Sequence, residues 1–233
     1  MPALDRAIVL LAAALALAAL AGLRRRSRVD ACYSFAAYLA TVVMSQALVG
    51  AWPSRFWTWD FWLATDVLQT GTHIACAAEV TFRTFRPLPA GQARARRLFA
   101  VLVTATVAAL AFPGPTTTAF DLTLLVSRFT YGVGFLFAAY LGLTAYYHVP
   151  VDPVHRDVAQ GFVLLTMLVA FTHDLSYLDP IMGWGRDTIV KLTYPLLLLW
   201  WAQRAWAQEE ATALPRASME HLQPWRVKRI QWE

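Results

Sequence analysis

The chain has 233 residues, 58% of them hydrophobic and only 15% charged, against about 25% charged in a typical soluble domain. That deficit excludes an ordinary soluble domain and points to a polytopic membrane protein. The net charge of +5 would suit nucleic acid, but the 18 arginines and 2 lysines behind it sit in short clusters between apolar segments. Such clustering sets membrane topology, so no nucleic-acid partner is expected.

A helical crossing needs about 20 apolar residues. Seven segments qualify in chain order: 7–23, 31–52, 56–82, 98–113, 118–147, 158–179 and 187–206. The expected fold class is therefore all-α, a polytopic bundle of seven transmembrane helices over residues 1–206, followed by a tail over 207–233. The fourth span is short, and the fifth is long enough to tilt. Trp52-Pro53-Ser54, Pro113-Gly114-Pro115 and Pro150-Val151-Asp152-Pro153 read as turns between them. No soluble domain and no internal repeat is evident. Span one, ending Ala19-Leu20-Ala21, also fits a signal peptide, which would leave six spans. Asp5 before it and the arginines after it favour a stop-transfer anchor. Cys32 and Cys76 lie inside apolar spans, without metal-site spacing, and no disulfide framework is expected.

Orientation follows from the cations. Fifteen Arg and Lys residues follow spans one, three and seven or precede span six, against Arg6, Arg55 and Arg186 in the opposite loops. The positive-inside rule then puts the N-terminus outside and the C-terminus in the cytoplasm of a bacterial inner membrane. Trp52, Trp57, Trp59 and Trp184 mark the outer interface, and Trp200, Trp201 and Trp206 the inner one. Small residues at four-residue spacing, Ala14, Ala18 and Gly22 in span one and Gly134, Ala138 and Gly142 in span five, suggest close helix packing.

Span three is the anomaly, because it carries Asp60, Asp66, His73 and Glu79. An acid near the bilayer centre costs roughly 2.5–3.5 kcal/mol on insertion scales. At about 100° per residue, Asp66, Gln69, Thr70, His73 and Cys76 share one arc roughly 120° wide. Lipid offers that stripe no partner, so it is expected to face the bundle interior, with Asp66 and His73 about 10 Å apart along the axis. Arg128 of span five lies at a similar depth, and an Asp66–Arg128 ion pair is expected. Lys191 of span seven completes a candidate intramembrane polar site. Asp60, Asp121, His173 and Asp174 form a candidate outer rim. Glu79 can pair with Arg83 at i+4. These groups read either as an outward-open polar cavity or as buried ion pairs that hold helices together.

No phosphate loop, nucleophile elbow or HExxH motif appears. His73, His148, His155, His173 and His221 fall at different depths, so neither a zinc site nor a bis-histidine haem is expected. No catalytic residue and no cofactor is assigned.

An arginine cluster before Phe35-Ala36-Ala37-Tyr38-Leu39, then Glu79 followed by Arg83-Thr84-Phe85-Arg86-Pro87, resembles seven-span integral membrane proteins of bacterial genomes. The likeness covers most of the spans and implies architecture, with no activity attached. Seven spans, an outside N-terminus, the Asp187-x-x-x-Lys191 spacing and Arg55 before Asp60-Phe61 are similar to microbial rhodopsins, which implies a retinal-binding alternative. Residues Gly161 to Tyr177 lack the W-x-x-Y-P pocket pattern of that family, and the Arg–Asp spacing differs. Lys191 also lies close to the outer surface.

The tail ends Pro224-Trp225-Arg226-Val227-Lys228-Arg229-Ile230-Gln231-Trp232-Glu233. Trp225, Arg226, Lys228, Arg229 and Trp232 suit contact with an anionic lipid surface or a partner subunit. The expected function is a non-enzymatic membrane protein, an accessory subunit of a larger membrane complex or a small sensor-like module. The competing expectation is a transporter or proton-conducting protein that uses the stripe of span three.

Overall fold

The computed structural model describes residues 1–86, 122–146, 149–178 and 183–207, with isolated positions at 97, 100, 101 and 104; for 122–130, 169–178 and 183–190 it describes the backbone alone. Among the described residues the chain is all-helical, with seven α-helices and no strand. They are α1 (Ala3–Arg25), α2 (Tyr33–Ala51), the four-residue α3 (Pro53–Phe56), α4 (Trp59–Phe85), α5 (Leu122–Tyr146), α6 (Pro153–Leu178) and α7 (Gly183–Trp206). Apart from the isolated positions 100, 101 and 104, span four, 98–113, lies outside the described residues, as does the tail beyond residue 207. Two described helices, α1 and α2, are long and apolar enough to cross a membrane, and Tyr131–Tyr146 is a shorter apolar stretch.

Local chemistry explains where these helices begin and end. Pro53 opens α3 at its first position, where its missing N–H costs nothing. The Thr58 hydroxyl accepts from the Phe61 N–H to cap α4, and an Asp152 carboxylate oxygen accepts from the Val154 N–H at the start of α6. α1 stops in a Schellman motif. The Ser27 N–H donates to the Arg24 carbonyl and the Arg28 N–H to the Leu23 carbonyl, with Ser27 at φ 53° in the left-handed position where glycine is usual.

The six long helices close into a ring. α1 packs on α2, α2 on α4, α4 on α5, α5 on α6, α6 on α7, and α7 back on α1. Contacts between helix ends give the directions. Arg6 at the start of α1 donates to the Gly50 carbonyl at the end of α2, so that pair is antiparallel. Thr84 and Tyr140, near the ends of α4 and α5, share a hydrogen bond of 2.9 Å, so these two run parallel. The Trp206 indole at the end of α7 donates to the Ala18 carbonyl of α1 at 2.8 Å, so α7 and α1 are also parallel.

The two ends of the ring differ in charge. α1, α4 and α7 finish, and α6 starts, at one end, which gathers Arg24, Arg25, Arg26, Arg28, Arg83, Arg86, Arg156 and Arg204. Among the arginines with described side chains, the opposite end holds Arg6 and Arg55. The arginines are also structural. Arg26 donates to the Trp206 carbonyl, and Arg28 to the carbonyls of Arg204 and Ala207, so α1's arginines cap the last turn of α7.

Residues on the ring's inside and outside are sorted by shape. Buried toward the core are Ala12, Ala16 and Ala19 of α1, Phe35, Tyr38 and Leu39 of α2, Val80 of α4, Phe137 of α5, Phe162 of α6 and Leu198 and Trp201 of α7. Exposed on the outside are Leu17, Met44, Val67, Leu68, Phe135, Leu164, Met167 and Leu196, at least one from every helix of the ring. The small-residue series diverge from their expected faces. Ala14 and Gly142 are exposed while Gly22 and Gly134 are buried, because a four-residue step drifts about 40° around a helix. Buried Thr41, Ser45 and Thr81 fold their hydroxyls onto carbonyls of their own helix, so their polarity is satisfied locally.

A carboxylate clamps α2 to α4. Glu79 accepts from the Tyr33 N–H at 3.1 Å and the Ser34 N–H at 2.7 Å, the otherwise orphaned donors of α2's first turn. Arg83, one turn on, pairs with Glu79 at 2.7 Å and donates to the Asp30 carbonyl. The i, i+4 spacing had predicted this pair. Glu79→Gln, which removes the charge at the helix start, is expected to cost about 1 kcal/mol, read as a lowered Tm in detergent. A second prediction concerns Gly161, where an added Cβ would lie 2.6 Å from the Trp201 indole, itself 2% exposed. Gly161→Ala is expected to cost about 1–3 kcal/mol by overpacking, whereas Gly142→Ala, which meets open space, leaves Tm unchanged.

Candidate functional site

The stripe of α4 faces inward. Asp66, Gln69, Thr70 and His73 are partly buried and Cys76 is fully buried, while Val67, Leu68, Gly71 and Ala75 are exposed. Its upper half opens on a cavity of about 440 Å³ at the arginine-poor end. α4 supplies Trp59, Phe61, Trp62, Asp66 and Gln69 to the wall, α2 supplies Ser45, Gln46 and Val49, and α1 adds Val9. Phe56 and Trp57 close it from the short α3 and its exit. Indole rings of Trp59 and Trp62 stack at 4.9 Å, and the rings of Phe56 and Phe61 meet at 5.0 Å. Asp66 has no ion pair and no hydrogen bond among the described residues.

Four residues below Gln69 the stripe enters an aromatic core. The His73 ring sits 4.6 Å from Tyr38 and 4.5 Å from Phe162, and its Nε2 is buried without a hydrogen-bond partner among the described residues. Phe162 also stacks on Phe137 at 4.8 Å and meets Trp201 at 5.1 Å and Phe35 at 6.1 Å. Tyr38, itself 0% exposed, shares a hydrogen bond of 2.9 Å with the Tyr194 hydroxyl of α7. Six aromatic side chains and His73 thus fill the middle of the ring below the cavity.

Below the core the polar groups are partnered. The Cys32 and Cys76 sulfurs lie 3.6 Å apart, both buried as free thiols. His155 Nε2 lies 2.7 Å from the Ala31 carbonyl. A carbonyl only accepts, so Nε2 carries the proton, and Nδ1 accepts from Thr84, 3.4 Å away. Thr84 then accepts from Tyr140, and the chain of donors is complete.

The expected site residues separate. Asp66 and Gln69 line the cavity, Thr70 lies between cavity and core, and His73 is in the core. Lys191 belongs elsewhere: its ammonium pairs with Asp5 of α1 at 3.1 Å, and its side chain is 44% exposed. That position on the α1–α7 seam corrects its grouping with the intramembrane polar site, and it gives no buried central lysine of the kind a retinal linkage uses. The expected Asp66–Arg128 pair, Asp121, His173, Asp174 and the tail residues Trp225, Arg226, Lys228, Arg229 and Trp232 lie outside the described residues or side chains. Asp60 is exposed beside the cavity mouth. Among the described residues no cluster of three or more His, Cys, Asp or Glu side chains could hold a metal.

Sequence reasoning missed Tyr38, Phe162 and Tyr194, and read Trp201 as an interface marker. Its available signal was weak: α6 places Gly161 beside Phe162, a gap beside a large ring. Gln46 and Ser45, polar residues in an otherwise apolar α2, were the legible pointer to the cavity's second wall.

No family model, curated protein or solved structure matches the chain.

Phe162→Ala is expected to cost about 3–5 kcal/mol, because the ring's packing partners on four helices are lost together. Phe162→Leu, which conserves most of the volume, is expected to cost less than half of that. Thermal unfolding in detergent, followed by circular dichroism, checks the order of the two variants.

Proposed function

We propose that the chain is a non-enzymatic, seven-helix protein of the bacterial inner membrane, N-terminus outside and C-terminus cytoplasmic. It acts as a small sensor-like module or as an accessory subunit of a larger membrane complex. Three features support the membrane architecture. Every helix of the ring exposes at least one large apolar side chain, as a lipid-facing surface would. Arginines gather at one end, as the cytoplasmic side requires. α4 and α5 run parallel, which in a membrane calls for an odd number of crossings between them, in keeping with the apolar sequence of 98–113.

One observation carries the functional choice. The polar stripe of α4 leads from the open cavity into a closed aromatic core instead of continuing to the far end. A ligand can occupy such a cavity, against Gln69, one turn of α4 from His73, which packs on Tyr38 and Phe162 where α2, α4 and α6 meet. A transporter needs a path that this core interrupts. The tail's Trp225, Arg226, Lys228, Arg229 and Trp232 suit a contact with a partner subunit or with anionic lipid on the cytoplasmic face.

The conducting alternative keeps one observation in its favour, the buried and unpartnered Nε2 of His73 beneath Asp66. Liposomes holding the purified protein and an internal pH dye decide between the two. Under an imposed pH gradient, the expected result is no flux beyond that of protein-free liposomes. A flux that Asp66→Asn abolishes would select the conducting reading. For the accessory role, native mass measurement after gentle extraction is expected to find an assembly larger than the 26.0 kDa chain that includes a second protein.

A further inference from the structure

The cavity at the arginine-poor end has its own chemistry. Its volume of about 440 Å³ lies in the range of sites for drug-sized molecules, about 300–1,000 Å³. Five aromatic side chains, Phe56, Trp57, Trp59, Phe61 and Trp62, stand in its wall together with Asp66, Gln69 and Gln46. None of these three side chains has an ion pair or hydrogen bond among the described residues. Partly buried polar groups without partners are costly, and several others among the described residues are matched: Glu79 to Arg83, Lys191 to Asp5, His155 to Thr84 and Ala31. The cavity is the place where a carboxylate and two amides stand ready for an absent partner.

We infer that the cavity binds an organic cation with an apolar body. This rests on the proposed sensor-like function, whose ligand class it names. Among the described residues no lysine or arginine lines the cavity, and the charged group in its wall is the Asp66 carboxylate. The nearby Arg55 guanidinium is engaged over the Phe56 ring at 5.6 Å, and exposed Asp60 adds a second negative charge near the mouth. Indole and phenyl faces attract cations through their ring quadrupoles, tryptophan most strongly. Trp57, Trp59 and Trp62 are each about half exposed, so their rings are available to a ligand. Below, the closed core of Tyr38, His73 and Phe162 gives the cavity a floor. A cation whose charge meets Asp66 while its apolar body lies among the indoles satisfies both features. An anion would face Asp66 unpaired, and a purely apolar molecule would leave Asp66, Gln69 and Gln46 unmatched.

A pair of ions with nearly the same shape and opposite charge tests this. Tetraphenylphosphonium and tetraphenylborate are each equilibrated by dialysis against the full chain in nanodiscs, with empty nanodiscs subtracted. Saturable binding of the phosphonium at one site per chain is expected, with none for the borate. Asp66→Asn, nearly isosteric, is expected to weaken phosphonium binding by about tenfold or more, and Trp62→Leu to weaken it too. Both variants are compared at a Tm matched to the parent protein, with Gln46→Ala as the replacement should either melt early. Equal binding of the two ions, or binding unchanged by Asp66→Asn, overturns the inference. Saturable binding of the borate alone overturns the cation class and leaves the ligand-sensing reading standing. No saturable binding of either ion overturns the inference and removes the support that the cavity lends to a sensor.

Discussion

One phenyl ring ties the bundle together. Phe162 of α6 meets Phe35 and Tyr38 of α2, His73 of α4, Phe137 of α5 and Trp201 of α7, so four of the other five ring helices converge on it. Such a bundle holds by close packing of its side chains. Close packing in turn needs room for the rings. Gly161 provides it by letting the Trp201 indole lie against bare backbone, where it also donates to the Asp157 carbonyl. Among the described residues, these rings fill the middle of the ring, one turn of α4 beyond the cavity.

The two ends of the bundle are held by different forces. At the arginine-rich end, charge and hydrogen bonds are dense. Glu79 caps α2, Arg83 joins Glu79 to the Asp30 carbonyl, and Arg26 and Arg28 cap α7, while His155 links Ala31 to Thr84 and Tyr140. At the other end the contacts among described side chains include Arg6 to Gly50 and Lys191 to Asp5. There the short α3, flanked by exposed tryptophans, joins α2 to α4 beside the cavity.

Much of the architecture was legible because it rests on local rules. Long apolar runs gave helices within a few residues of α1, α2, α5, α6 and α7, and a 3.6-residue period put Asp66 through Cys76 on one inward arc. Spacing alone paired Glu79 with Arg83. The misses have physical causes too. Lys191 looked available to the stripe because depth along a helix says nothing about azimuth, and its azimuth faces α1. The arginines after span one read as a topology signal, yet Arg26 and Arg28 bond carbonyls some 180 residues away. Hydropathy counts Tyr38, Phe162 and Trp201 as apolar and cannot distinguish a central ring from one that faces lipid.

What the sequence by itself determined is the helical character, the sides of its helices and the polarity of its two ends, because these depend on composition, period and charge along the chain. Only the tertiary structure decided that the acids of span three part company. Glu79 becomes a helix cap at one end, and Asp66 a lone carboxylate in an aromatic cavity at the other. The reason is that burial and pairing depend on which helices neighbour α4 in the closed ring. That order follows from how Phe162, Tyr38 and Trp201 fit together across residues far apart in the chain.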